Sequence, residues 1–278
     1  MARRPFGISR LDSMIGGGAP PGSTVLLAGE VGAGARAFCY TSAILSATGL
    51  IDEERFDLHY GDLHEGSELP DEVHYLSLTA TEDDIVREMS YTIGEDLVEN
   101  GVDPIQFEDL SQEYFQVSQV PSEWYAERPP DITSLGEHHD RRDVFDAIGD
   151  YLSANGEGNL VVIDSVTDLI SVASDEMDWT QITLLMKGLK KASHRWGGLV
   201  LLLVTLETLT ETQLGQLMEA SDGTLFFEWE RGGSERARTM FVKQFRGVLS
   251  RLEDENIIQF ETEIHDSGFD ISDIRKIR

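Results

Sequence analysis

The sequence is short of cysteine, and this scarcity limits both its covalent chemistry and its compartment. Cys39 is the single cysteine among the 278 residues, so no disulfide bond can form within the chain. A chain without disulfides is typical of a reducing compartment. No apolar run approaches the roughly 20 residues that a membrane-spanning helix needs, and the first residues lack the apolar segment of a secretory signal peptide. We therefore expect a cytoplasmic protein without a membrane span.

Lysine is also scarce, and the chain is strongly acidic. There are five lysines, none of them before Lys187, and 51 acidic residues stand against 22 basic ones, which gives a formal net charge of -29. Such a charge keeps a protein soluble, and we interpret it as the adaptation of a halophile, in particular of a haloarchaeon. Residues 52–113 alone contain 20 acidic side chains and two arginines. This charge argues against non-specific polyanion binding there and leaves a solvated surface or a site for a basic partner.

A glycine loop that begins at Gly29, with the sequence GEVGAGAR, lacks two residue types that its pattern requires. Phosphate-binding loops follow the pattern G-x-x-x-x-G-K-[ST]. Its outer glycines are Gly29 and Gly34, with Gly32 between them, but Ala35 and Arg36 replace the lysine and the hydroxyl residue. In such loops the lysine contacts the β- and γ-phosphates, and the hydroxyl ligates Mg²⁺. The segment is therefore predicted to be a degenerate nucleotide-binding loop.

Apolar runs of strand length alternate with helical patterns along the chain. This alternation predicts an α/β domain around a largely parallel sheet. The expected strands are 23–28, 73–78, 114–120, 160–163, 199–204, 224–229, 238–245 and 257–262, and the expected helices are 34–48, 82–93, 143–154 and 179–196. Because no break in composition marks a second domain, we expect one domain over residues 1–278, with an acidic insertion at about 52–71 and a loop insertion at about 121–140.

Four further segments resemble the motifs of one family. They are FGISRLD at 6–12, IGGGAPPG at 15–22, LVVIDSVT at 160–167 and RTMFVKQFRG at 238–247. With the glycine loop, they resemble the KaiC/RadA-like branch of the RecA superfamily, and archaeal KaiC-like proteins in particular. The resemblance implies a RecA-like P-loop NTPase fold, in which helices flank a central, mostly parallel sheet with antiparallel strands at its C-terminal end. It also implies ATP as the ligand and Asp164 as the Walker B acid.

The sequence departs from this family where hydrolysis needs an acid. In the family, the strand after the loop helix ends in paired glutamates, one of which polarises the attacking water. The corresponding residues here are Thr79 and Ala80, and neither side chain can act as a general base. Glu82 and Asp83 follow, but we expect them to begin and cap the next helix. Three parts of the catalytic machinery are thus missing, which predicts a protein that does not hydrolyse ATP.

Four charged residues could still serve a site, and each has two interpretations. Asp164 could bind Mg²⁺, although the missing hydroxyl at position 36 argues against the metal; otherwise it holds the loop backbone. Arg36 could bind phosphate without Mg²⁺, or it forms a surface ion pair with an acid such as Glu30. Lys243 and Arg246 resemble residues that the family presents across a subunit interface to the neighbour's γ-phosphate, and ordinary salt bridges are the alternative.

The sequence gives no support for DNA binding. The segments that correspond to the DNA loops of recombinase relatives, 168–178 and 207–222, contain no lysine or arginine and four acids each, so nothing local can neutralise phosphates. A basic cluster on the helix 179–196 predicts a protein contact or a solvated helix face. The cluster consists of Lys187, Lys190, Lys191, His194 and Arg195. The histidines show no metal-binding spacing, and His138 and His139 are expected in a polar loop.

These observations favour a non-catalytic KaiC-like protein that acts as a regulatory or scaffolding subunit. It would work through protein contacts, either by self-association or by docking onto an active relative. The alternative is an atypical ATP-binding protein or slow ATPase that uses Arg36 and Asp164. A RadA-like recombinase paralogue is the third reading, and the acidic segments argue against it.

Overall fold

The structure is a computed structural model that describes residues 2–116, 118–125, 144–176, 179–230, 237–254 and 257–276. The helices in these ranges are α1 (Ser9–Ile15), α2 (Ala35–Ile51), α3 (Glu53–His59), α4 (Glu82–Thr92), α5 (Glu95–Gly101), α6 (Ser111–Phe115), α7 (Val144–Asn155), α8 (Val166–Glu176), α9 (Trp179–Trp196), α10 (Glu211–Glu219) and α11 (Leu249–Asp254). The strands are β1 (Ser23–Gly29), β2 (Val73–Ser77), β3 (Ile105–Asp109), β4 (Leu160–Asp164), β5 (Leu199–Thr205), β6 (Gly223–Trp229), β7 (Arg238–Phe245), β8 (Ile257–His265) and β9 (Gly268–Lys276).

These strands form one nine-stranded sheet in the order β3-β2-β4-β5-β1-β6-β7-β8-β9. The neighbours from β3 to β6 pair in parallel, and those from β6 to β9 pair antiparallel. All residues of β1 are buried, because a central strand of a parallel sheet is covered on both faces. The expected parallel sheet with antiparallel strands at its C-terminal end is confirmed.

Hydrophobic residues on the two faces of this sheet belong to two core clusters. Along β1, Val25 and Leu27 belong to one cluster, and Leu26 and Ala28 belong to the other, as the two-residue period of a strand requires. α2 lies in the first cluster and is almost wholly buried, while α7 and α9 contribute to the second. Packing therefore fixes β1 and α2, the two elements that flank the glycine loop.

The strand expected at 114–120 is wrong, and the edge strand of the sheet is β3. The aromatic pair Tyr114 and Phe115 favoured a strand locally, but these residues lie in α6. The Asp109 carboxylate accepts a hydrogen bond from the Ser111 N–H at 2.8 Å, which satisfies a backbone donor where the strand ends and the helix begins. β3 itself was missed because two acids end its short run, IQFED.

The two segments compared with DNA loops contain helices. Most of 168–178 lies in α8, and 207–222 contains α10, whose first turn is closed by a capping box between Thr210 and Gln213. Of the C-terminal hairpin, the sequence predicted β8 but not β9, which pairs with it antiparallel. Within the described ranges, no helix is long and apolar enough to span a membrane. His138 and His139 lie outside the described residues.

Candidate functional site

The glycine loop joins the central strand β1 to the N-terminus of α2. Gly32 and Gly34 have φ values of 76° and 113°, a backbone conformation that residues other than glycine rarely adopt. A Cβ on Gly34 would also lie 3.1 Å from the Phe269 ring. Gly34 is the N-cap of α2, and no side chain caps the helix. The first N–H groups of this helix therefore point into the loop without an intrahelical partner, as in anion-binding loops.

Groups from β6, β7 and the turn after β5 hold the outside of the loop. The Val31 N–H donates to Glu207 Oε1 at 2.9 Å, and Trp229 Nε1–H donates to the Val31 carbonyl at 3.0 Å. Arg238 Nε–H donates to the Gly32 carbonyl at 3.1 Å, and its guanidinium lies 4.7 Å from the centre of the Trp229 ring. The loop is thus held in shape by the protein itself, and Glu207 places a carboxylate on one of its N–H groups.

The central contact of the site joins Arg36 to Asp164, two residues that are 128 positions apart. Arg36 Nη2 donates to Asp164 Oδ1 at 2.8 Å, and the Tyr75 hydroxyl donates to Oδ2 at 2.7 Å. β2 and β4 are neighbouring strands, and Tyr75 lies opposite Val162, two residues before Asp164, which ends β4. The peptide bond after Asp164 is cis. Protein donors therefore engage both oxygens of the Walker B-like carboxylate.

Burial controls the electrostatics of this contact. The Asp164 side chain is 10% exposed and that of Arg36 is 51% exposed. Burial raises the pKa of Asp164, and the Arg36 guanidinium and Tyr75 hydroxyl offset part of the rise. Burial acts to lower the pKa of Arg36, but the Asp164 carboxylate raises it above its usual range, so the guanidinium stays charged. The Arg36 charge is what makes an ionised Asp164 tolerable in this environment.

A second carboxylate lies on the other side of the guanidinium. Glu88 Oε2 of α4 is 4.0 Å from Arg36 Nη1 and accepts a hydrogen bond from the Tyr40 hydroxyl at 2.9 Å. Arg36 thus lies between two acids. The sequence suggested a surface ion pair with an acid such as Glu30. The acids that Arg36 contacts are Asp164 and Glu88, while Glu30 accepts a hydrogen bond from the Trp229 N–H.

A pocket of about 430 Å³ opens between the loop, the start of α2 and the end of β5. Two guanidinium groups, those of Arg36 and Arg238, line it together with the Glu88 carboxylate. The sequence-predicted loop residues also line it; they are Gly29, Gly32, Gly34 and Ala35. Asp164 lies beneath the pocket and is reached through Arg36. The structure therefore brings the predicted loop residues and Asp164 together.

The chain after β2 offers no carboxylate where the family has one. The N–H groups of Thr79 and Ala80 both face the Ser77 hydroxyl, at 3.4 and 3.0 Å. The helix α4 begins at Glu82, as expected, but its capping residue is Thr81, whose hydroxyl accepts a hydrogen bond from the Asp84 N–H. Residues 77–84 thus end a strand and start a helix, and the acid of α4 that lines the pocket, Glu88, comes from further along that helix.

The residues present do not fit Mg²⁺. This ion takes about six oxygen ligands in octahedral geometry, whereas both Asp164 oxygens accept hydrogen bonds from protein donors. Position 36 presents a guanidinium, which has no acceptor atom. Among the described residues, no group of three or more His, Cys, Asp or Glu side chains is arranged to hold a metal.

Lys243 and Arg246 lie away from the pocket of their own chain. Lys243 is near the end of β7, Arg246 follows that strand, and both are exposed. Within the described part of the chain, no salt bridge engages either side chain. The basic cluster on α9 differs, because Lys190 and His194 contact Asp222 at 3.3 and 3.2 Å.

Sequence reasoning missed several residues that shape the site. They are Tyr40, Tyr75, Glu88, Glu207, Trp229 and Arg238. Tyr40 follows the loop on α2, whereas the others come from elements remote in sequence, and no motif assigns any of them a role there.

No protein-family model matches the chain, and no curated protein sequence matches it. Solved structures do resemble it in fold. A KaiC-like protein from Pyrococcus horikoshii OT3 has a TM-score of 0.62 and 18% identity, over 98% of this chain and 99% of that one. The flagellar accessory protein FlaH from Methanocaldococcus jannaschii has a TM-score of 0.54 and 15% identity, over 96% of both chains. The chain therefore has the α/β fold of these two archaeal proteins, and the RecA-like fold expected from the sequence is confirmed.

Proposed function

We propose that the chain is a single RecA-like domain that does not hydrolyse ATP and that acts as a regulatory or scaffolding subunit through protein contacts. The observation that carries this proposal is the engagement of both Asp164 oxygens by Arg36 and Tyr75. In active P-loop NTPases the corresponding acid helps to hold Mg²⁺. Here the acid is already neutralised from within the chain.

The other losses act in the same direction. Position 35 is alanine, so no ammonium group reaches the β- and γ-phosphates. Thr79 and Ala80 supply no general base. General base catalysis typically contributes 10²–10⁴-fold, and the charge stabilisation from a lysine and a metal would be lost in addition. Hydrolysis at a useful rate is not expected from the groups that remain.

The charge distribution supports a role in protein contacts. Lys243 and Arg246 are exposed near the end of β7, while residues 52–113 carry 20 acids against two arginines. In the described structure those two arginines, Arg55 and Arg87, pair locally with Asp52 and Asp84. A basic surface and an acidic surface on one chain are complementary between copies, or towards a charged partner.

Nucleic acid is a poor partner by the same reasoning. The helices α8 and α10 occupy most of the segments compared with DNA loops, and these segments contain no lysine or arginine. On α9, Lys190 and His194 contact the buried Asp222, and Lys187 lies 3.5 Å from Glu219. The local charge needed to neutralise several phosphates is absent from these segments.

A second candidate function is metal-independent nucleotide binding. The pocket of about 430 Å³ at the uncapped N-terminus of α2 favours it, because such N-termini bind anions. Arg36 and Arg238 would supply the positive charge. In this case Arg36→Ala should weaken ATP binding by about ten- to a hundredfold, which corresponds to the 1.5–3 kcal/mol of a charge-assisted hydrogen bond.

Two measurements test the leading proposal. Phosphate release from ATP in multimolar KCl should not exceed the background, and turnover that disappears in Asp164→Ala would contradict the loss of hydrolysis. Light scattering in the same buffer should detect an assembly that the double reversal Lys243→Glu and Arg246→Glu disrupts. Lys191→Glu, a reversal on α9, is the matched control. A wild-type monomer that co-elutes with DNA would refute the proposed role in protein contacts.

A further inference from the structure

We propose that the Arg36 guanidinium is a built-in replacement for a divalent cation, and that replacing Arg36 by serine converts the site into a metal-binding one. The inference concerns the protein without nucleotide. It therefore stands or falls separately from the proposed loss of hydrolysis.

The first step of the argument is the position of Arg36. The loop pattern places a Mg²⁺-ligating hydroxyl at this residue and brings it near the Walker B acid. Arg36 stands at this position and places Nη2 2.8 Å from Asp164 Oδ1. A metal ligated by that oxygen on the side of the loop would lie against the guanidinium, and two cations repel each other strongly at such a distance. The guanidinium and a metal therefore compete for this position.

The second step is the charge around position 36. Asp164 and Glu88 contribute two carboxylates, at 2.8 and 4.0 Å from the guanidinium nitrogens, and Arg36 contributes one positive charge. If Arg36 were removed, two negative charges would face each other with no cation between them. A divalent cation balances these charges, and carboxylate and hydroxyl oxygens are the ligands that Mg²⁺ and Mn²⁺ prefer.

The third step is burial, which separates this contact from an ordinary surface ion pair. The Asp164 side chain is 10% exposed, and its second oxygen accepts a hydrogen bond from the buried Tyr75. A carboxylate in this environment is costly without a counter-charge. The same need that Arg36 meets in the wild type would be met by a metal in its absence, so metal binding should restore stability to the variant.

The experiment compares wild type, Arg36→Ser, Arg36→Ala and Arg36→Ser/Asp164→Asn by thermal unfolding at fixed high KCl, in EDTA or with saturating Mn²⁺. We expect the wild-type melting temperature to be the same in both. Arg36→Ser should melt lower than wild type in EDTA and rise by about 5–10 °C with Mn²⁺. Arg36→Ala, which lacks the hydroxyl, should rise less, and the double variant should not rise. Arg238→Ser, which removes the other guanidinium of the pocket and leaves the Arg36–Asp164 contact in place, should have the same melting temperature in EDTA and with Mn²⁺.

Direct Mn²⁺ binding gives the second readout, because the acidic surface binds cations non-specifically. Electron paramagnetic resonance of free Mn²⁺ should show one more bound ion in Arg36→Ser than in Arg36→Ser/Asp164→Asn, and no difference between wild type and Asp164→Asn. Wild type that binds one Mn²⁺ more than Asp164→Asn would overturn the proposal, and this comparison holds even if Arg36→Ser fails to fold. A folded Arg36→Ser that neither binds Mn²⁺ nor gains stability from it would also overturn it.

Discussion

Two buried carboxylates in this protein have different partners, and the difference shows what a cation contributes. Counted over the whole residue, Asp12 on α1 has no exposed surface, and Asp164, beneath the glycine loop, is 8% exposed. Asp164 contacts a guanidinium at 2.8 Å. Asp12 instead accepts hydrogen bonds from the Phe6 N–H at 2.8 Å and the Tyr60 hydroxyl at 3.1 Å. One carboxylate is balanced by a full charge and the other only by neutral dipoles.

Burial raises the pKa of both acids, but only Asp164 has a cation that offsets part of the rise. Burial raises the pKa of Asp12 to about 7, even though backbone N–H groups and Tyr60 act to lower it. Asp12 ties the N-terminal segment to α3, and this role needs hydrogen bonds and no charge. Asp164 has a charged partner that favours its ionised form. Asp164 thus belongs to an ion pair, whereas Asp12 connects two segments of the chain through hydrogen bonds.

The largest effect is expected from removing the cation beside Asp164. Arg36→Ala leaves Asp164 buried beside Tyr75 and without its counter-charge. Breaking a buried ion pair typically costs 3–5 kcal/mol, and the half-exposed guanidinium places this one at about 3 kcal/mol. Denaturant unfolding at high salt measures the loss. Arg238→Ala is the control, and an Arg36→Ala variant as stable as that control would contradict the comparison.

The next largest effect concerns Asp12, whose neutral, protonated form stabilises the folded state. The folded pKa of about 7 lies above the ordinary value of 3.8, so the folded state keeps a proton that the unfolded state releases between these values. Stability should therefore fall as the pH rises from about 4 to 7. Asp12→Asn should remove this component, so that wild type loses about 2–3 kcal/mol relative to the variant between pH 5 and pH 8. If the free energies of unfolding of wild type and Asp12→Asn change with pH by the same amount over this range, Asp12 does not titrate there.

A third buried acid, Asp222, should give an intermediate effect. Burial acts to raise its pKa, but the Thr24 N–H, Lys190 and His194 lower it overall. Lys190→Met should cost about 1–2 kcal/mol at neutral pH, because the other donors remain. Since the folded pKa is depressed, the cost should shrink as the pH falls below about 4. Lys187→Met, which loses an exposed contact to Glu219, should change stability by less than about 0.5 kcal/mol.

The smallest effect on the Arg36–Asp164 pair is expected from salt. Screening lengths are about 10 Å at 0.1 M and about 3 Å at 1 M salt, and buried pairs are screened less than exposed charges. The cost of Arg36→Ala should therefore be nearly the same at 1 M and 3 M KCl.

The whole chain, with a net charge of -29, should partly unfold or dissociate below roughly 0.5 M salt. A wild-type melting temperature that is flat from 0.1 to 3 M KCl would contradict a halophilic origin.

Local sequence patterns predicted most of the sheet and missed the two strands at its edges, β3 and β9. The runs of β1 and β5 are long and apolar, because both faces of the sheet are covered there. β3 has five residues, two of them acidic, and lies at the edge, so its sequence does not resemble a buried strand. The aromatic residues after it belong to a helix instead. Edge elements are less constrained by burial, and their sequences carry less information about their structure.

The sequence alone determined what the site lacks. Ala35 and Arg36 stand where the loop pattern has a lysine and a hydroxyl residue, and Thr79 and Ala80 carry no carboxylate. It could not determine the partner of Arg36, because the nearest acid along the chain, Glu30, seemed as good a candidate as a residue 128 positions away. Only the tertiary structure places the end of β4 beside the start of α2 and turns Tyr75 of the neighbouring strand towards the same carboxylate. Long-range contacts of this kind depend on strand order and side-chain direction, which no local pattern encodes.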